Sequence, residues 1–203
     1  NFHNEYNISL SKITLLVTFN FGMQLFIDFI SVYFVDKIGY KVSIVIAHIC
    51  STLGLACLTF LPNLFNDPFI GLLISVMIYA IGGGLLEVLV SPIVESCPTN
   101  HKEKAMSLLH SFYCWGQVAV VLLSSIFFNL FGIDNWRILA LIWMLIPFFN
   151  TVLLIKVPIA SISDNETVLS PRMLIKQRIF WIFVLVMFCA GASEMSVSQW
   201  AST

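Results

Sequence analysis

The sequence predicts an all-α fold, a polytopic transmembrane bundle of about six helices. Three observations predict it. Apolar residues make up 59% of the chain and charged residues only 10%, against about 25% charged in ordinary globular domains. The mean hydropathy is +0.93, so the bilayer rather than water is the expected solvent. The apolar residues also gather into runs of the ~20 residues that a membrane-spanning helix needs. Finally, the runs are parted by short connections rich in turn residues, and spans of this length satisfy their backbone internally as helices.

The first run, about 10–35, stops at the charged turn Asp36-Lys37-Ile38-Gly39-Tyr40-Lys41. A second run, 42–61, is closed by Leu61-Pro62-Asn63, and Asp67-Pro68 opens a third at 69–94. Cys97-Pro98-Thr99-Asn100 separates it from a fourth at 105–131, and Gly132-Ile133-Asp134-Asn135 leads to a fifth at 136–157. These Pro, Gly and Asn clusters are breakers and turn formers. The segment 158–177 is longer and polar, and is the plausible linker before a sixth run at 179–203. Three parts are therefore expected: a helical bundle over 1–157, a central loop over 158–177, and the first helix of a second bundle over 178–203. Because the chain opens at Asn1 and ends inside an apolar run, it is expected to be a fragment cut at both ends.

Charge fixes the expected orientation. Lys37, Lys41, Lys102, Lys104, Lys156, Arg172, Lys176 and Arg178 fall at the first, third and fifth connections, whereas Lys12 and Arg137 lie on the opposite side. Positive charge marks the cytoplasmic face. The first, third and fifth connections are thus expected inside, and the protein is expected in the cell membrane as a multi-pass protein. A net charge of −1 argues against a nucleic-acid partner. Cys50, Cys57, Cys97, Cys114 and Cys189 show no metal-ligand or redox spacing. They read as small hydrophobes, and no metal or cofactor is expected.

The turn at Asp36 resembles the loop motif of the major facilitator superfamily, Gly-x-x-x-Asp-Arg-x-Gly-Arg-Arg, which joins that family's second and third helices. Asp36, Lys37, Gly39 and Lys41 carry the match. Val32 stands at the leading glycine, and Tyr40 stands where an arginine is usual. The resemblance implies that the chain covers helices two to seven of that fold and omits the first helix and most of the second half. Two further stretches are similar to the fucose-permease-like and sugar-porter-like branch. One is Gly82-Gly83-Gly84-Leu85-Leu86-Glu87 followed by Ser91-Pro92. The other is Leu109-His110-Ser111-Phe112-Tyr113 with Gly116.

Ionisable groups inside spans are costly and by default mark function. Glu87 is expected about 10 Å from the cytoplasmic end of its span, and His110 about 8 Å from the same face on the next, at 1.5 Å per residue. The two are therefore expected at similar depth as a proton-coupling pair, and the fucose-permease resemblance implies that role for Glu87. A structural carboxyl bonded between helices is the alternative. His110, Tyr113 and Gln117 follow i, i+3, i+7 and share a face, a polar stripe suited to a water-lined cavity, while Trp115 points elsewhere. Glu194, Gln199 and Trp200 are expected as cavity groups from the sixth span, because the family's helix seven lines its central cavity. Gly82, Gly83 and Gly84 suit close helix packing, with a hinge as the other reading. Asp28 is expected to support the charged loop, Glu95 to serve the membrane border, and His48 to be structural.

The function expected is secondary active transport of a small polar, sugar-like solute by alternating access, with proton coupling, or sodium in its place. The partners are the solute and the lipid bilayer, and the oligomeric state is open. No nucleotide-binding Gly-x-x-x-x-Gly-Lys-Ser/Thr occurs, so an ion gradient is the implied energy source. Proton-driven efflux of drug-like or amphipathic solutes is the alternative. A non-transporting sensor and a polytopic membrane enzyme are alternatives of another class. The chain has neither a His-Glu-x-x-His nor a Gly-x-Ser-x-Gly motif, so it is not expected to be an enzyme.

Overall fold

The computed structural model describes residues 5–159 and 171–200, with side chains throughout except at 32, 171, 172 and 194–200. The described residues are helical, in two compact units, Asn1–Ile162 and Ser163–Thr203. The first unit holds α1 (Leu10–Ile38), α2 (Tyr40–Leu64), α3 (Pro68–Glu95), α4 (Lys102–Phe131) and α5 (Trp136–Lys156). A 3₁₀ turn, Ile133–Asn135, precedes α5. The second unit holds the short α6 (Pro171–Ile175) and α7 (Arg178–Trp200). Each of α1 to α5 contributes a stretch long and apolar enough to cross a membrane.

The connections follow from local chemistry. Ser9 caps α1 by accepting the Lys12 amide at 3.4 Å. Asp67 caps α3 by accepting the Phe69 amide at 3.0 Å, and Pro68 occupies the first turn, where no amide is missed. Between α1 and α2 stands a single residue, Gly39, whose φ of 92° and ψ of 147° close one helix and open the next. That region of backbone space is essentially reserved for glycine. Its amide donates to the Val35 carbonyl at 2.8 Å. Gly132, at φ 82°, ends α4 in the same manner.

The second span runs past its expected end. α2 continues through Pro62 to Leu64, so Pro62 does not break it. Proline is tolerated inside membrane helices, where neighbouring helices pack against it. Here Gly71 of α3 lies so near Leu61 and Pro62 that a β-carbon on it would come within 2.7 Å of the Pro62 nitrogen. The connection shrinks to the three residues 65–67.

α3 is the organising helix, packing on both α1 and α2, whereas α1 and α2 barely touch each other; α5 packs on α2. Two apolar clusters form the core. Val35, Ile44, Ala47, Leu85 and Leu89 lie near the charged turn, and Ile8, Leu16 and Leu72 lie at the other end. The close crossings use missing β-carbons. One added to Gly54 would stand 2.5 Å from the Tyr79 backbone nitrogen, and one added to Gly82 would stand 2.7 Å from the Ala47 carbonyl. Small residues let membrane helices approach where apolar burial gives no drive.

Hydroxyls inside the spans are satisfied locally. Ser43 donates to Gly39, Ser51 to Ala47 and Ser75 to Gly71, each to a carbonyl one turn back. His48 is buried with Nδ1 2.9 Å from the Ile44 carbonyl, a structural placement. All five cysteines are free.

Candidate functional site

Polar groups of α1 meet the glycines of α3 where the two helices cross. Asn20, Gln24 and Asp28 follow i, i+4, i+8 on α1, so they form one ladder on one face. Opposite stand the glycines of α3. Gly83 approaches Gln24, and a β-carbon there would lie 2.7 Å from the Gln24 Nε2. Gly84 approaches Asp28, and a β-carbon there would lie 3.2 Å from its Oδ1. The triglycine therefore divides its work. Gly82 admits α2 through Ser51 and Ala47, and Gly83 and Gly84 admit the polar ladder of α1.

One turn beyond Gly83, the Glu87 carboxylate lies within electrostatic reach of Asp28. The Asp28 Oδ1 is buried and makes no hydrogen bond. The ion pairs found among the described residues, Lys12–Asp67 and Arg137–Glu5, involve neither acid. The crossing thus holds two uncompensated carboxyls, one with an orphaned oxygen and the other, Glu87, exposed. Like charges within electrostatic reach disfavour each other's charged form, and burial disfavours a charge further. Asp28 was expected to serve the charged loop, but it faces α3 instead, because eight residues of helix set it about 12 Å from Asp36.

The other expected residues are placed as follows. His110, Tyr113 and Gln117 lie on α4 and are exposed, as is Trp115. No residue of α4 is buried. It touches α3 and α5 sparingly, in part through a Trp143 Nε1 bond to the Ser124 hydroxyl at 3.1 Å. Among the described residues no hydrogen bond or ion pair joins Glu87 to His110. The side chains of Glu194, Gln199 and Trp200 lie outside the described residues. Glu95 is exposed at the end of α3.

In the charged turn, Asp36, Lys37 and Lys41 flank Gly39. Tyr40 lies beside the Asp36 carboxylate, at the place where the family motif usually has an arginine. The glycine is needed for the helix-to-helix corner, and the charges stand on a rim at the end of the bundle.

Asn20 and Gln24 escaped the sequence reading. Their signal was present: polar residues at helical spacing in line with Asp28, inside an otherwise apolar span. A second group also escaped it, at the end of the bundle away from the charged turn. The Arg137 guanidinium, from the start of α5, holds Glu5 at 2.5 Å, the Tyr6 hydroxyl at 2.7 Å and the Asn63 Oδ1 at 3.3 Å through Nη2. The Trp136 Nε1 donates to the other Glu5 oxygen at 2.6 Å. This clasp ties the segment before α1, the end of α2 and the start of α5.

Five apolar helices with one-residue or few-residue corners, a charged turn and a glycine-rich crossing define the class of protein. The family model of the Major Facilitator Superfamily matches residues 2–203. The chain belongs to the Major Facilitator Superfamily. Neither a curated protein nor a solved structure matches it. Membership makes it a multi-pass membrane protein of the secondary-transporter class, a family of transporters rather than enzymes. The α1–α3 crossing holds two of its acids, Asp28 and Glu87.

Proposed function

We propose that this chain is part of a proton-coupled transporter of a small polar, sugar-like solute in the cell membrane, with Glu87 as the coupling carboxyl. One observation carries the reading. Glu87 and Asp28 stand within electrostatic reach across the α1–α3 crossing, with no ion-pair partner among the described residues. Intramembrane acids without a countercharge are costly and are retained for ion movement. Glu87 is exposed on α3, which suits a group that meets water on alternate sides of the membrane as two helical halves rock about a midplane site. The likeness of Gly82–Glu87 and Leu109–Gly116 to the fucose-permease-like branch supports both the proton and the sugar-like solute.

In this reading His110 exchanges the proton with Glu87 once the cavity closes over α4. Tyr113 and Gln117 contact the solute from α4, and Glu194, Gln199 and Trp200 contact it from the other half. The energy comes from the ion gradient.

The test is proton flux and solute accumulation by the intact protein in sealed vesicles, over a panel of sugars. Glu87→Gln is expected to abolish gradient-driven accumulation while leaving solute exchange in place. Undiminished accumulation by that variant would overturn the coupling role, and sodium-dependent, pH-independent uptake would replace the proton.

A further inference from the structure

A cavity of about 460 Å³ opens between α1, α2 and α3, in the half of the bundle away from the charged turn, apart from the Asp28–Glu87 crossing. It exists because α1 and α2 scarcely meet there, so α3 alone forms its floor. Leu16, Leu58 and Leu72 represent its lining, which contains no charged residue. Among the lining residues Ser75 has spent its hydroxyl on the Gly71 carbonyl at 2.8 Å. Asn20 has not: it lines the cavity and its Oδ1 is buried with no hydrogen-bond partner.

An unsatisfied amide in a membrane interior costs on the order of a few kcal/mol. The Asn χ2 torsion is broad and soft, so the amide can turn its oxygen or its NH₂ toward the cavity at little cost. The volume falls within the ~300–1,000 Å³ of small-molecule sites, which are mostly apolar with a few polar anchors. An anion or cation would find no countercharge here. A pure hydrocarbon would fill the space and leave Asn20 unpaired.

We propose that this cavity binds an uncharged amphiphile with an apolar body and one hydroxyl, a fatty alcohol or hydroxyl-bearing lipid. It enters from the bilayer between α1 and α2, and its hydroxyl pairs with the Asn20 amide. The cavity shares Asn20 with the polar ladder of α1 but is lined by neither Asp28 nor Glu87, so the proposal does not rest on proton coupling.

The test is photolabelling of the intact protein in lipid nanodiscs with a diazirine-bearing octanol, mapped by peptide mass spectrometry. Labelling is expected to concentrate on the segments around 13–21 and 72–79, and excess octanol should compete it away while octane does not. Asn20→Leu, which keeps the apolar volume but removes the amide, should lower labelling there about fivefold or more. Val76→Trp should lower it by filling the space. Leu58→Phe fills the same space from α2, and stands in should Val76→Trp fail to fold. Labelling spread evenly over all lipid-facing helices would overturn the proposal. So would labelling competed equally by octane, which means occupation by lipid tails only, or labelling unchanged by Asn20→Leu in folded protein.

Discussion

Gly82→Ala tests whether the α2–α3 crossing is set by contact of backbones. A β-carbon at Gly82 would stand 2.6 Å from the Ser51 amide nitrogen and 2.7 Å from the Ala47 carbonyl, besides striking the Ser51 hydroxyl. Ordinary contact begins at 3.4 Å, so α2 would have to retreat by about 0.8 Å (3.4 less 2.6) along a crossing buried on both sides. The first two obstacles are backbone atoms and cannot rotate away. Overpacking of this kind costs about 1–3 kcal/mol, against a gain of about 1 kcal/mol for replacing glycine inside a helix. The net expectation is a loss of up to about 2 kcal/mol, at roughly 2–4 °C of Tm per kcal/mol for a chain of this size. Gly116→Ala on α4 is the internal control, because a β-carbon there meets nothing within 4 Å and only the helix gain remains. Both variants would be melted in detergent with a thiol-reactive dye, which reports exposure of the half-buried Cys50 and Cys57 on α2. A Gly82→Ala melting point equal to or above that of Gly116→Ala would refute the packing logic.

Further outcomes follow from the corner, the clasp and the acid pair. Gly39→Ala places a β-carbon on a backbone at φ 92° and ψ 147°, and should cost about 1–3 kcal/mol in the same dye assay although the space around it is open. Arg137→Ala should cost about 1–3 kcal/mol, the worth of hydrogen bonds to a charged group reduced by the partial exposure of its Glu5 partner, and added salt should narrow its difference from the parent. On the proposed coupling role, Asp28→Asn leaves one carboxyl at the α1–α3 crossing and should move the pH midpoint of solute-driven proton flux, whereas an unchanged midpoint would separate Asp28 from the proposed coupling. Asp36→Asn should slow turnover without altering the order of preferred solutes, as read by competition uptake.

The helices and their corners were legible because the bilayer enforces them locally: apolar runs of spanning length, Asp67-Pro68 as a cap with its first-turn proline, and Gly39 where only glycine fits. The close-packing role of Gly82 was legible for the same reason. The error at Pro62 has a physical source. A proline's cost inside a helix depends on its surroundings, and the close crossing of α3 at Gly71 against Leu61 and Pro62 is not visible in local sequence. The partners of Asp28 were hidden because they depend on the rotation of α1 about its axis, which the triglycine of α3 sets. Arg137 looked like a stray base on the minority side. Its partners lie 74 to 132 residues away, beyond any local pattern.

The single-residue corner at Gly39 has a mechanical consequence. A connection of several residues spreads a rotation over many torsions, whereas here only the φ and ψ of Gly39 stand between two helices. Any roll or tilt of α1 that those two torsions do not take up is therefore handed to α2. The charges of Asp36, Lys37 and Lys41 sit at this corner. A contact made or broken by Asp36, Lys37 or Lys41 is thus felt along two membrane-spanning arms at once.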